Sequence, residues 1–138
     1  MKDEPLGMEL TLEGVEESFG PHLTLDMKGC PKEILQNYKL HFDYLKTLPE
    51  MINMTPITQP YVFPYSGLVT EDKGITGIVI IAESHLSIHS FEEKGYTFID
   101  MFSCKGFDID KALKYTLELF QPESYEVNLV KRGSDFPR

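Results

Sequence analysis

Gly77-Ile78-Val79-Ile80-Ile81-Ala82-Glu83-Ser84-His85-Leu86-Ser87-Ile88-His89 is the stretch whose reading decides the fold. From Gly77 to Ala82 no side chain is polar and most are β-branched, which predicts a strand buried on both faces; the shortness of the run disfavours a buried helical turn. Glu83, Ser84, His85, Ser87 and His89 then arrive close together. A buried strand that ends in a carboxylate, two hydroxyls and two imidazoles sets reactive groups on a rigid support, although a strand that merely reaches water also ends in polar residues. Thr76 stands just before the run and Cys104 closes a later strand, so a hydroxyl, a thiol and an imidazole could converge. Ser84 and His89 are an odd number of residues apart, so joint action requires a bend between them.

Working outward, His22 to Met27 alternates, with Leu23, Leu25 and Met27 on one face against Thr24 and Asp26, as a half-buried strand does. Gly29 and Pro31 end it and open a helix. Ile34, Leu35, Tyr38, Phe42, Leu45 and Leu48 form one apolar stripe, which carries that helix to about Leu48, where Pro49 stops or kinks it. His41 and Tyr44 lie beside the stripe and are expected to cover the core edge. Met54 to Tyr65 holds Pro56, Pro60 and Pro64 among β-formers, so it can supply an edge strand but not a central one. After His89 comes a polar connection, Ser90 to Gly95, and then a strand from Tyr96 to Ser103 with Tyr96, Phe98, Asp100 and Phe102 on one face. Asp108 or Asp110 caps a helix with Leu113, Leu117 and Phe120 on one side, closed by Pro122. Tyr125 to Lys131 alternates as a last strand. This order predicts an α+β two-layer sandwich: a mainly antiparallel sheet with two helices on one face.

The chain has 138 residues, 41% of them hydrophobic, which suits a single core. We divide it into an N-terminal extension, residues 1–20, acidic and weakly patterned, and one domain, 21–138; the extension reads equally as a mobile arm or a short docking helix. The formal net charge of -9 argues against nucleic acid and anionic membrane surfaces as partners, since both are bound through Lys and Arg clusters. No apolar run is long enough for a signal peptide or a membrane span, so a cytoplasmic location is expected, with Cys30 and Cys104 reduced.

The run from Gly74 to His89, followed by Ile99-Asp100-Met101-Phe102-Ser103-Cys104, closely resembles the prokaryotic S-adenosylmethionine decarboxylase proenzymes, and its Glu-Ser-His-x-Ser-Ile-His element is highly specific. Gly20-Pro21-His22-Leu23-Thr24-Leu25-Asp26, Gly29-Cys30 and Arg132-Gly133 extend the resemblance more loosely. Decarboxylation at an amino acid's Cα needs an electron sink that no side chain provides, and neither a lysine in the reactive cluster nor a phosphate-binding glycine loop points to pyridoxal phosphate. The resemblance implies that the chain makes its own carbonyl. Ser84 Oγ attacks the carbonyl of Glu83, the peptide becomes an ester, and β-elimination divides the chain into β (1–83) and α (84–138) parts. Hydrolysis with loss of ammonia leaves a pyruvoyl group at residue 84, which would take the substrate amine as a Schiff base.

By the same resemblance His89 assists processing, a task suited to imidazole. Thr76 stands where the family usually has Ser and would donate to the tetrahedral intermediate. Cys104 protonates the product carbanion, Phe91 stacks on adenine in place of the usual Trp, and Glu93 accepts from the ribose hydroxyls. The implied partner is the small molecule S-adenosylmethionine, and the implied assembly is a homodimer of cleaved protomers with sites near the interface. Taken alone, Cys104 also reads as a small buried hydrophobe and His89 as a core-edge histidine. The sequence departs from the family at Phe91-Glu92-Glu93, in place of Trp-Pro-Glu, and at Ser103-Cys104-Lys105-Gly106. These changes touch substrate recognition more than self-cleavage.

Three other readings compete. Glu92 and Glu93 could serve a pyruvoyl enzyme acting on ornithine or arginine. An uncleaved paralogue that binds a nucleoside would keep the fold without the chemistry. His85, His89 and Cys104 have ligand types that suit zinc, but a metal site leaves Ser84 without a task.

Overall fold

The computed structural model describes residues 18–138. Of the expected extension, 1–20, residues 1–17 lie outside the described residues; Phe19 N–H donates to the Arg132 carbonyl at 2.8 Å and Gly20 already opens β1. The element order is β1 (Gly20–Lys28), α1 (Lys32–Leu35), α2 (Tyr38–Met51), β2 (Tyr61–Tyr65), a single 3-10 turn (Thr70–Asp72), β3 (Gly74–Ile81), β4 (Ser84–Phe91), β5 (Tyr96–Phe102), α3 (Ile109–Phe120) and β6 (Ser124–Arg132). The strands form one antiparallel sheet in the order β2-β3-β4-β5-β1-β6, so the proline-bearing β2 is an edge, as a strand with a missing donor must be.

Period-two alternation divides the sheet into two unlike faces. Leu23, Leu25, Met27, Val79, Ile81, Leu86, Ile88, Ile99 and Met101 project to one side and join Tyr44, Leu45 and Leu48 of α2 and Leu113, Leu117 and Phe120 of α3 in a continuous core. This is the predicted two-layer α+β sandwich. Two details of the helices differ from expectation. The first helix is broken at Gln36–Asn37, because Asn37 turns its Oδ1 back to accept from the Leu40 N–H at 3.0 Å and begins α2 afresh. Pro49 does not stop α2, which runs on to Met51: its ring costs only the bond its own N–H would make to the Leu45 carbonyl, and the Ile52 N–H still closes on the Leu48 carbonyl at 3.2 Å. Of the two expected caps, Asp108 is the one that starts α3, accepting from the Lys111 N–H at 3.0 Å, while Asp110 lies in the first turn.

The other face carries no helix among the described residues, and the register lays its side chains out in rows. Phe63, Thr76, His89, Phe98, Asp26 and Glu126 make one row; Ile80, His85, Phe102, His22 and Val130 make another. Tyr61, Phe63 and Tyr65 are each about half exposed there. The Gly77–Ala82 run is therefore buried on one side only, Ile78 and Ile80 being half-buried on the open face. Its apolar character on both sides matches the apolar side chains, Tyr61, Phe63 and Phe102 among them, that stand beside it on the open face.

β3 and β4 approach each other closely. A Cβ at Gly74 would stand 1.6 Å from the Ser90 carbonyl oxygen, whereas one at Gly77 would meet only the movable side chains of Leu45, Val62 and Ile88. Gly74→Ala is therefore expected to lower unfolding free energy by about 2–3 kcal/mol, and Gly77→Ala by less, in urea titrations monitored by circular dichroism; equal costs would contradict the packing described.

Candidate active site

The chain reverses between β3 and β4 through two residues, Ala82 and Glu83, with Ile81 opposite Ser84. Ser84 thus opens β4 with its side chain turned toward the core. It is 8% exposed, and its Oγ is enclosed without a hydrogen-bond partner. A buried hydroxyl with nothing to hold it is unusual. Beside it, Cys104, just past the end of β5, donates its S–H to the Ala82 carbonyl at 3.4 Å. Glu83 is exposed. The hydroxyl, the thiol and the Glu83–Ser84 peptide meet at this one turn.

His89 and Thr76 do not meet them there. β4 runs without interruption from Ser84 to Phe91, burial alternating along it, so the bend expected between Ser84 and His89 is absent. The reversal comes before Ser84 instead, and five extended residues separate Ser84 from His89 by about 17 Å. The two side chains also face opposite sides of the sheet. His89 is exposed and pairs across the strands with Thr76, whose Oγ1 lies 3.2 Å from His89 Nδ1.

That pair stands in the wall of a cleft of about 240 Å³ lined by Phe63, Tyr65, Asp72, Gly74, Thr76, His89, Ser90 and Phe91. Three aromatic rings and one carboxylate line a space that suits a flat ring and a cation. Phe63, Tyr65 and Asp72 were not foreseen as site residues. The alternation of Tyr61, Phe63 and Tyr65 between prolines was the available signal, but alone it specified only an edge strand. Glu93 is not in the wall. It pairs with Lys32 at 2.9 Å and Lys73 at 3.7 Å, and the Lys32 ammonium holds its carboxyl below the usual range. Asp72, which is in the wall, pairs with Lys94 at 2.5 Å. Both cysteines are free thiols, and among the described residues no three His, Cys, Asp or Glu side chains are gathered as metal ligands. No helix among them is long and apolar enough to cross a membrane.

Behind the cleft, His41 is fully buried rather than at the core edge. Its Nδ1 donates to the Asn37 carbonyl at 2.8 Å, so Nε2 accepts from Ser90 Oγ at 2.6 Å.

A buried serine hydroxyl and a thiol lie at one end of the β3–β4 hairpin, and a hydroxyl–imidazole pair stands at a ligand-sized cleft at the other, an arrangement of the kind found in enzymes on an α+β sandwich. The S-adenosylmethionine decarboxylase family matches residues 21–133. The S-adenosylmethionine decarboxylase proenzyme of Thermococcus gammatolerans is 34% identical over 118 residues, covering 85% of this chain and 78% of its own. That of Archaeoglobus fulgidus is 31% identical over 115 residues, covering 83% and 97%. The crystal structure of the adenosylmethionine decarboxylase from Aquifex aeolicus superposes with a TM-score of 0.70 at 24% identity, covering 84% of this chain and 92% of that one, and shares the fold. The chain belongs to the S-adenosylmethionine decarboxylase family.

Burial holds the pKa of His41 below 6.5, and burial, then Arg132 and His85, do the same for His22 against the pull of Asp100. A base depressed in the folded state takes up its proton more readily when unfolded, so stability falls as pH drops below about 6.5. Urea midpoints are expected to fall from pH 7 to pH 5, and to fall less steeply in His41→Gln. An unchanged slope in that variant would contradict a neutral buried His41.

Proposed function

We propose that this chain is a cytoplasmic, self-processing, pyruvoyl-dependent enzyme that decarboxylates S-adenosylmethionine and so supplies aminopropyl groups for spermidine synthesis. The observation that carries the proposal is the enclosed, unpartnered Ser84 Oγ next to the Glu83–Ser84 peptide, with the Cys104 thiol on the preceding carbonyl. A serine that no neighbour holds is free to attack, which fits conversion of residue 84. Attack by Ser84 Oγ on the Glu83 carbonyl exchanges the C–N bond for a C–O bond. Elimination across Cα–Cβ of residue 84 then releases Glu83 as a carboxylate, and hydrolysis sheds the nitrogen as ammonia. The pyruvoyl group so formed supplies the electron sink that decarboxylation needs. Cys104 keeps a proton on Sγ at this turn and returns it to the substrate carbon.

Phe63, Tyr65 and Phe91 offer faces to an adenine ring and a sulfonium, with Asp72 as the carboxylate already in the wall. Glu93 reaches the ribose hydroxyls by leaving Lys32 and Lys73.

Thr76 and His89 act on processing from a second copy of the chain. On its own protomer His89 stands about 17 Å from Ser84. The face that carries it is open and mixes polar side chains with large apolar ones, Phe63, Phe98 and Val130 being exposed by 48%, 40% and 49%, as interfaces between subunits do. A two-fold axis lying between two such faces and crossing the middle of β4 sets the exposed Glu83–Ser84 turn of one protomer beside the His89 end of its partner; Ser84 Oγ itself lies on the core side, so the imidazole acts there on the peptide at the turn. The site is then completed by dimerisation.

Mixing two inactive variants tests this arrangement. Ser84→Ala and His89→Ala chains are each expected to remain whole, and after co-refolding only the His89→Ala chain should be cut, at Glu83–Ser84. Normal cutting of His89→Ala alone, or none in a verified mixed dimer, would contradict it. For the substrate, incubation of cut enzyme with S-adenosylmethionine and borohydride should add to the 84–138 fragment the mass of the substrate, or of its decarboxylated product, less one water and plus two hydrogens; adduct formation with ornithine or arginine instead would move the assignment to those amino acids.

A further inference from the structure

Residues Thr55 to Thr58 lie against the end of β3, where β2 no longer reaches. β2 pairs with β3 only from Gly74 to Ile78. Beyond that, Thr55 O accepts from the Ala82 N–H at 2.9 Å, Ile57 N–H donates to the Ile80 carbonyl at 2.8 Å, and Thr58 N–H reaches the same carbonyl at 3.4 Å. Pro56 bridges to Ile81, and Thr58 Oγ1 accepts from the Ile80 N–H at 3.2 Å. The segment is anchored at both ends. Met54 is 5% exposed, its N–H bonds to the Pro49 carbonyl and its sulfur receives Ser103 Oγ at 3.5 Å, while Pro60 is buried at the other end. The backbone of Ala82 is therefore held at both of its polar groups, its N–H by this segment and its C=O by the Cys104 thiol.

Cutting at Glu83–Ser84, the reading on which this inference rests, would turn residues 80–83 into a chain end. Strand ends fray unless they are tied down. On the β4 side the tie weakens, because the turn is severed and the nitrogen of residue 84, a ladder donor, leaves as ammonia. On the other side nothing changes. We propose that Thr55–Thr58 is a retaining clasp: it keeps the new end of the β chain in the sheet after cutting, so that the Ala82 carbonyl goes on orienting the Cys104 thiol, with Thr58 as the positioning residue.

Thr58→Val removes only the oxygen that receives the Ile80 N–H and keeps the side-chain shape, and Thr58→Ser restores the oxygen. Hydrogen exchange of the peptide covering residues 75–83, with alkylation of Cys104 by iodoacetamide as a second readout, reads the clasp without measuring turnover. In chains kept whole by Ser84→Ala, Thr58→Val should change exchange by less than about twofold. In cut enzyme it should speed exchange at residues 80–82 roughly fivefold, the worth of one hydrogen bond, and shift Cys104 alkylation, and Thr58→Ser should reverse both. Equal exchange in cut wild-type and cut Thr58→Val, or a segment already unprotected in cut wild-type, would overturn the clasp. So would a Thr58→Val chain that folds but is not cut, since the clasp would then act before cleavage. If wild-type itself stays whole, the self-cleavage proposal fails instead.

Discussion

The register of β3 against β4, with Thr76 opposite His89 and Ile81 opposite Ser84, is the constraint from which the rest of the site follows. An antiparallel ladder joined by a two-residue turn leaves no freedom of pairing, because a slip of one residue would invert every side chain. Ser84 must face inward and His89 outward, and the thiol that follows β5 must come to the turn. Gly74 permits the close approach that the pairing needs, since its neighbour across the gap is the backbone of Ser90. The core side chains of α2 and α3 hold the pair flat from behind.

That same register separates the candidate groups into two clusters. Ser84 and Cys104 gather at the turn; Thr76, His89 and the aromatic cleft lie at the far end of the hairpin. In the proposed dimer the open face brings the turn of one protomer to the Thr76–His89 cluster of its partner, so the exposed apolar side chains and the separation of the two clusters have one explanation. Processing would then wait for association, and an isolated newly made chain would stay intact.

Much of this was legible in the chain, and the parts that were not have physical reasons. Alternation in Leu23–Met27 and in Tyr96–Phe102, and the Asp108 cap, gave strands and helix close to their observed bounds, because each signal is local. Ser84 and Cys104 were legible as candidates because they carry chemistry in their side chains, and the structure brings both to the turn before β4. The break at Asn37 was hidden by an apolar stripe that continues across it, from Ile34 and Leu35 to Tyr38; a side-chain cap competes with helix continuation without altering hydrophobic periodicity. The Gly77–Ala82 run read as buried on both faces because sequence records apolar character, not what covers it. Parity between Ser84 and His89 correctly flagged a difficulty, but its solution by a bend was wrong. Phe63, Tyr65 and the Thr55–Thr58 segment acquire their roles only from register, and for Thr55–Thr58 mostly through backbone atoms that every residue possesses.

The most direct test is the intact mass of the purified chain under denaturing conditions. Two fragments corresponding to residues 1–83 and 84–138 are expected, the second with its first residue lighter than serine by the exchange of amine and hydroxyl groups for a ketone. A single whole chain, under conditions where the protein is folded and dimeric, would contradict the self-processing site on which the functional proposal depends.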